Sequence, residues 1–143
     1  MIKSELMTLW NVESWTVEPY GVYFVSRRLD TKQVDKVETI TKSLNISCSG
    51  YTEAEMLSLP MWEQLYVQLD KLDQLAQEII QKKIPQEESV VLTLTDIMLD
   101  KSGCYDAFAL GYDIGESSAG HLYVLVSFDE NFTAQQDVIY ETL

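Results

Sequence analysis

Residues 60–85 read PMWEQLYVQLDKLDQLAQEIIQKKIP. Trp62, Leu65, Leu69, Leu72, Ala76 and Ile79 recur at alternating steps of three and four. That spacing puts one apolar stripe along a helix, and Tyr66 and Ile80 widen it. Pro60 stands where its missing N–H costs nothing, at a helix start. Lys82 and Lys83 occupy the last turn, where cations suit the helix dipole, and Pro85 ends the run. Upstream, Thr52-Glu53-Ala54-Glu55 has the capping-box pattern, which predicts a short helical turn before the long helix. The stripe predicts a helix lying on a sheet, with a helical region over about 53–83. A coiled coil would need the apolar repeat to continue for more heptads than this segment holds.

Downstream of the helix the period changes from 3.6 to 2. Ile84-Pro85-Gln86-Glu87-Glu88 is a polar connector, and Val90–Leu99 is β-branched and apolar. Asp100-Lys101-Ser102-Gly103 reads as a turn and Tyr105–Tyr112 as the next strand. Phe108, Leu110 and Tyr112 fall on one face of it, and Ala107, Ala109 and Gly111 on the other. Asp113–Gly120 reads as an acidic, glycine-rich loop. His121–Phe128 is a strand, Asp129-Glu130-Asn131 a turn, and Gln135–Tyr140 a final strand. This is a β-meander over about 89–141.

Upstream, residues 6–50 read as mainly β. Leu9, Trp15, Val17, Tyr20, Val22, Phe24 and Val25 sit among polar residues, and a turn near Glu18–Gly21 joins two strands. Residues 31–44 fit two readings. Val34, Val37, Ile40 and Leu44 suit a helical face with Asp30 and Gln33 as a capping pair, whereas Leu44, Ile46 and Cys48 alternate with polar neighbours as in a strand over about 43–49. The expected fold is one α+β domain of 143 residues. An antiparallel sheet of about six strands, from the N-terminal strands and the C-terminal meander, packs against one long amphipathic helix.

The formal net charge is −13, distributed unevenly. Residues 1–83 carry 12 acidic and 9 basic side chains, whereas residues 84–143 carry 11 acidic ones and a single base, Lys101. Direct nucleic-acid binding is thereby disfavoured, because phosphate contacts need a cationic face. No stretch approaches the about 18–20 apolar residues that cross a bilayer, and the N-terminus lacks a signal-peptide pattern, so a cytoplasmic location without membrane attachment is expected. Cys48 and Cys104 are expected to be reduced thiols in the core.

Motifs for catalysis and metal binding are sparse. His121 is the single histidine; Ser117, Ser118, Asp113 and Glu116 lie near it in sequence, and Cys104 is a candidate to approach it across a hairpin, but no nucleophile elbow is present. One histidine and two distant cysteines do not complete a zinc site. Asp96, Asp100, Asp106, Asp113, Glu116, Asp129 and Glu130 lack calcium-loop spacing, and Gly111-Tyr112-Asp113-Ile114-Gly115 lacks the lysine and helix of a phosphate loop. No catalytic residue, metal or cofactor is assigned. Aromatics are the better lead. Trp10, Trp15, Tyr20, Tyr23, Tyr105, Tyr112, Tyr123 and Tyr140 are too many for a small core, and exposed aromatics beside carboxylates suit a basic protein surface.

The runs Leu92–Ile97, Phe108–Asp113 and Gly120–Asn131, the last beginning Gly-His and ending in an acidic turn, resemble small bacterial α+β domain families. Some members of those families are encoded beside polymorphic toxins and are proposed immunity proteins. The resemblance is greatest over residues 105–131; it implies a fold and a class of partner, and no site residues. The leading expectation is therefore an acidic cytoplasmic interaction domain that masks a basic toxin or enzyme. Its expected contacts are Asp100, Tyr112, Asp113, Glu116, His121, Tyr123, Asp129 and Glu130. Two other readings stay open: a small hydrolase or ligand-binding protein using the Asp113–His121 loop, and a DNA-mimic inhibitor.

Overall fold

The computed structural model describes residues 1–29, 41–83, 92–117 and 120–142. A seven-stranded sheet runs β1 (Val12–Glu18), β2 (Gly21–Leu29), β3 (Thr41–Ser49), β4 (Leu94–Asp100), β5 (Phe108–Ser117), β6 (Gly120–Phe128) and β7 (Ala134–Thr142), in sequence order across the sheet. Three helices join it: α1 (Lys3–Leu9), α2 (Glu53–Leu57) and α3 (Trp62–Lys83). The α+β expectation holds, with a sheet one strand larger than expected.

Not every pair is antiparallel. β3 and β4 are parallel, with Asn45 opposite Asp96 and Ser49 opposite Asp100. The cause is the helical insertion. Parallel neighbours need a crossover, and α2 and α3 lie in sequence between β3 and β4. Every stripe residue of α3 named from the sequence is buried, as is Ile80. The inner face of the sheet meets it with Phe24, Ile46, Ile97, Phe108, Leu110 and Val126. Tyr66 is partly exposed, and its ring packs edge-on against Trp10 at 5.2 Å.

The capping box forms as read: Thr52 Oγ1 accepts from the Glu55 N–H, and the Glu55 carboxylate accepts from the Thr52 N–H. The indole of Trp62 donates to the Met56 carbonyl at 2.7 Å and so ties the first turn of α3 to α2.

Three expectations need correction. Residues 6–9 belong to helix α1 rather than to a strand, because Leu6 and Trp10 are buried one helical turn apart. Asn11 then takes a left-handed conformation (φ 48°), and β1 begins after it. Asp113–Ser117 is strand rather than loop: β5 continues to Ser117, with a bulge between Asp113 and Gly115, and β6 starts at Gly120. Of the two cysteines, both free, Cys48 is buried but Cys104 is exposed. Burial pushes the Cys48 thiol up to about 12. The helix-or-strand question for 31–44 is answered only from Thr41 on, as strand, since residues 30–40 lie outside the described ones. The same is true of the connector 84–88 and of Ser118. No helix among the described residues is long and apolar enough to cross a membrane.

Candidate functional site

The helices cover one face of the sheet. On the other face, strand alternation fixes which side chains emerge: Asp96 and Met98 from β4, Ala109, Gly111 and Asp113 from β5, Tyr123 and Leu125 from β6, Ile139 and Glu141 from β7. Asp113 is paired with Tyr123 and Tyr123 with Glu141, so the three form a row across adjacent strands. Asp96 is paired with Gly111, one same-face step from Asp113.

These residues ring a hollow of about 290 Å³, completed by Asn45, Thr95, Met98 and Leu125. Gly111 opens it. A Cβ at that position would stand 3.2 Å from the Asp96 Cβ and 3.4 Å from Leu125 Cδ2. Thr95 donates its hydroxyl to the Asp96 carboxylate at 2.7 Å. Burial nevertheless raises the Asp96 carboxyl above its ordinary range, and the like charge of Asp113 adds to the rise. Asp113 accepts from the Gly115 N–H at 2.9 Å, inside the bulge. Tyr105 reaches over from the β4–β5 loop and donates to Glu141 at 2.9 Å. Burial and that carboxylate raise the Tyr105 hydroxyl. Tyr105 also closes a small apolar cluster with Ala109 and Leu125, edged by Met98 and Ile139.

The hollow is therefore partly apolar and lined by three carboxylates, those of Asp96, Asp113 and Glu141. No lysine or arginine occurs in 84–143 except Lys101, and that side chain is in an ion pair with Glu55. The Lys101 hydrogen bond, with the backbone N–H of Thr52, holds the Glu55 carboxyl down at about 2. Among the described residues no group of three or more metal-ligating side chains is placed to hold an ion.

The eight expected contacts do not form one site. Asp113 and Tyr123 lie on the open face. The backbones of Glu116 and His121 are register partners near the β5–β6 turn, while their side chains lie outside the described residues. Asp100, Asp129 and Glu130 sit at the opposite end of the sheet. There Asp100 caps its turn by accepting from the Ser102 N–H and hydroxyl, and those bonds lower its carboxyl. Tyr112 is a correction. It is fully buried on the helix side, and its hydroxyl donates to the carboxylate and backbone carbonyl of Asp73 on α3. Burial raises that hydroxyl, and Tyr112 cannot meet a partner. Trp10 and Tyr105 are likewise buried, while Tyr20 and Tyr140 are exposed.

The expected approach of Cys104 to His121 fails on register. Phe108, just after Cys104, pairs with Phe128, seven residues along β6 from His121. At about 3.3 Å per residue this is a separation of about 23 Å. Sequence reasoning missed Glu141 and treated Asp96 only as a possible metal ligand. A signal for Asp96 was present, since it is the one charged residue in the apolar run 90–99. Glu141 could be found only from the register of β7.

A pH dependence follows for Asp96. A raised folded-state pKa favours the folded protein below the unfolded-state value, and that contribution is lost as pH rises through the folded-state value. Asp96→Asn keeps an acceptor for Thr95 and is expected to melt higher than the parent at pH 7. The difference should vanish below about pH 4, where both chains are neutral at this position. Melting curves across that range check it; equal melting temperatures at pH 7 would show that Asp96 carries no burial cost.

Compared with protein-family models, curated proteins and solved structures, the chain matches none.

Proposed function

We propose that this chain is an acidic protein-interaction domain that binds a basic partner through the face of β4–β7 turned away from the helices. The observation that supports it most is the hollow ringed by Asp96, Asp113 and Glu141. Like charges on one sheet face disfavour folding, and burial together with the Asp113 charge raises the Asp96 carboxyl above its ordinary range. A perturbed carboxylate in a hollow is a characteristic of functional sites, and a cationic side chain would relieve it. Tyr123, between Asp113 and Glu141, supplies an aromatic contact. The partner class, a basic toxin or enzyme masked by this domain in the cytoplasm, comes from the family resemblance of residues 105–131.

The test begins with co-purification from the native host, followed by association kinetics. Asp96→Asn, Asp113→Asn and Glu141→Gln combined should slow association at least about tenfold at low salt, with a smaller effect at high salt. The same rate in parent and triple variant, insensitive to salt, would mean that the acidity of this face serves solubility alone.

A further inference from the structure

A second concave feature lies at the other end of the sheet, away from the open-face hollow. It is a cavity of about 350 Å³ between the segment after β3, the α2–α3 connection, the β4–β5 loop and the β6–β7 turn. Its walls are apolar: Met61, Leu59, Leu99 and Phe132, with the ring of Tyr51. Three carboxylate residues, Asp106, Asp129 and Glu130, complete the lining, and none of the lining residues is a lysine or arginine.

The lining is held in place from several directions. Phe132 has a left-handed backbone (φ 61°), and its ring packs edge-on against Phe108 at 5.7 Å. Phe108 in turn stacks on Phe128 at 5.2 Å, so the Phe132 wall is anchored in the core. Asp129 Oδ1 accepts from the N–H groups of Asn131 at 2.8 Å and Thr133 at 2.9 Å, which locks the turn. Asp106 accepts from the Gln135 amide at 3.3 Å. Glu130 is exposed.

An apolar sleeve with carboxylates in its lining is complementary to an aliphatic stem that ends in a cation. We propose that this cavity binds the side chain of a lysine presented by a partner protein. The stem lies against Met61, Leu99 and Phe132, and the ammonium sits among Asp106, Asp129 and Glu130. Lysine fits better than arginine. Three carboxylates from two loops, Asp106 before β5 and Asp129 and Glu130 after β6, suit a compact cation with three rotatable donors, whereas a planar guanidinium pairs with one carboxylate through both oxygens. Here one oxygen of Asp129 is already taken by two backbone N–H groups. The site is independent of the open face, because it shares no lining residue with that hollow.

The test titrates the full chain with N-acetyl-lysine methylamide, followed by amide NMR shifts. Its uncharged analogue, N-acetyl-norleucine methylamide, and the arginine analogue serve as comparisons. Saturable shifts at Met61, Ala107 and Phe132 are expected, with a millimolar Kd, as suits a ligand of this size. The norleucine probe should bind at least about fivefold more weakly, as should the lysine probe to the Asp106→Asn/Glu130→Gln variant or in about 0.5 M salt. The variant changes two side chains exposed to solvent and should melt with the parent. Equal binding of the norleucine and lysine probes would overturn the proposal, as would tighter binding of the arginine probe. So would shifts that do not saturate, or shifts confined to Asp96, Asp113 and Tyr123. The Asp96/Asp113/Glu141 variant keeps this cavity intact, so failure here and failure of the open-face reading are read separately.

Discussion

Leu69→Asp is expected to yield a protein that does not fold. Leu69 is fully buried at the middle of the α3 stripe, between Leu65 and Leu72 on the same face. A carboxylate there would lie in the apolar layer between helix and sheet, with no cation among the described residues that are buried to pair with it. Burying an unpaired charge costs at least several kcal/mol, or forces protonation at comparable cost. That is of the order of a whole domain's stability, about 5–15 kcal/mol. Leu69→Ala removes volume without adding charge and should cost about 2–5 kcal/mol, so a folded but weakened protein is expected. Circular dichroism and urea melts separate the outcomes. A folded Leu69→Asp with the parent's melting temperature would mean that α3 does not sit on the sheet.

Trp10→Ala is the second large effect. Trp10 is fully buried and lies at the centre of an aromatic group, edge-on to Trp62 at 6.0 Å, to Phe24 at 6.3 Å and to Tyr66 at 5.2 Å. It therefore joins α1 to β2 and to the start of α3. Its carbonyl accepts the buried Ser26 hydroxyl, which fixes the chain as it leaves α1. Emptying this position should cost about 3–5 kcal/mol. The Trp10 indole N–H has no acceptor among the described residues. An unsatisfied buried donor costs about 1–3 kcal/mol. Trp10→Phe removes that donor along with part of the ring, so the two effects oppose each other and the loss should stay within about 1.5 kcal/mol. Denaturant midpoints of the two variants check this. A phenylalanine variant as unstable as the alanine one would show that the ring's size, rather than its burial, holds the cluster.

The two variants differ in how far their positions were legible. Leu69 was readable because helical periodicity is local: residues three and four apart share a face whatever the sheet does. Trp10 was not. It stood among eight aromatics too many for a small core, with nothing to single it out for burial, and its burial depends on α1, a seven-residue helix too short to announce itself by pattern. Tyr112 shows the same limit from the other side. Its place on the apolar face of β5 with Phe108 and Leu110 was legible from alternation, and that face is the one α3 covers. Its hydroxyl is compatible with burial only because Asp73 stands opposite on α3.

By itself, the sequence determined the α+β class, the boundaries and inward stripe of α3, the α2 capping box, most of the strands, and the concentration of negative charge after residue 84. Each depends on neighbours a few positions apart, where φ/ψ geometry alone dictates which side chains share a face. Only the tertiary structure decided that β3 and β4 run parallel, and that Asp113–Ser117 extends a strand. It also decided that Asp96, Asp113 and Glu141 ring one hollow while Asp106, Asp129 and Glu130 line another at the far end. Those facts rest on inter-strand register. Asp96 and Glu141 are 45 positions apart in sequence yet meet through β5 and β6. A slip of one residue in any ladder would send either carboxylate to the opposite face of the sheet. Register is set by the sum of packing against α3 and by the bulges at β4, β5 and β6, energies shared among many distant residues that no local pattern records.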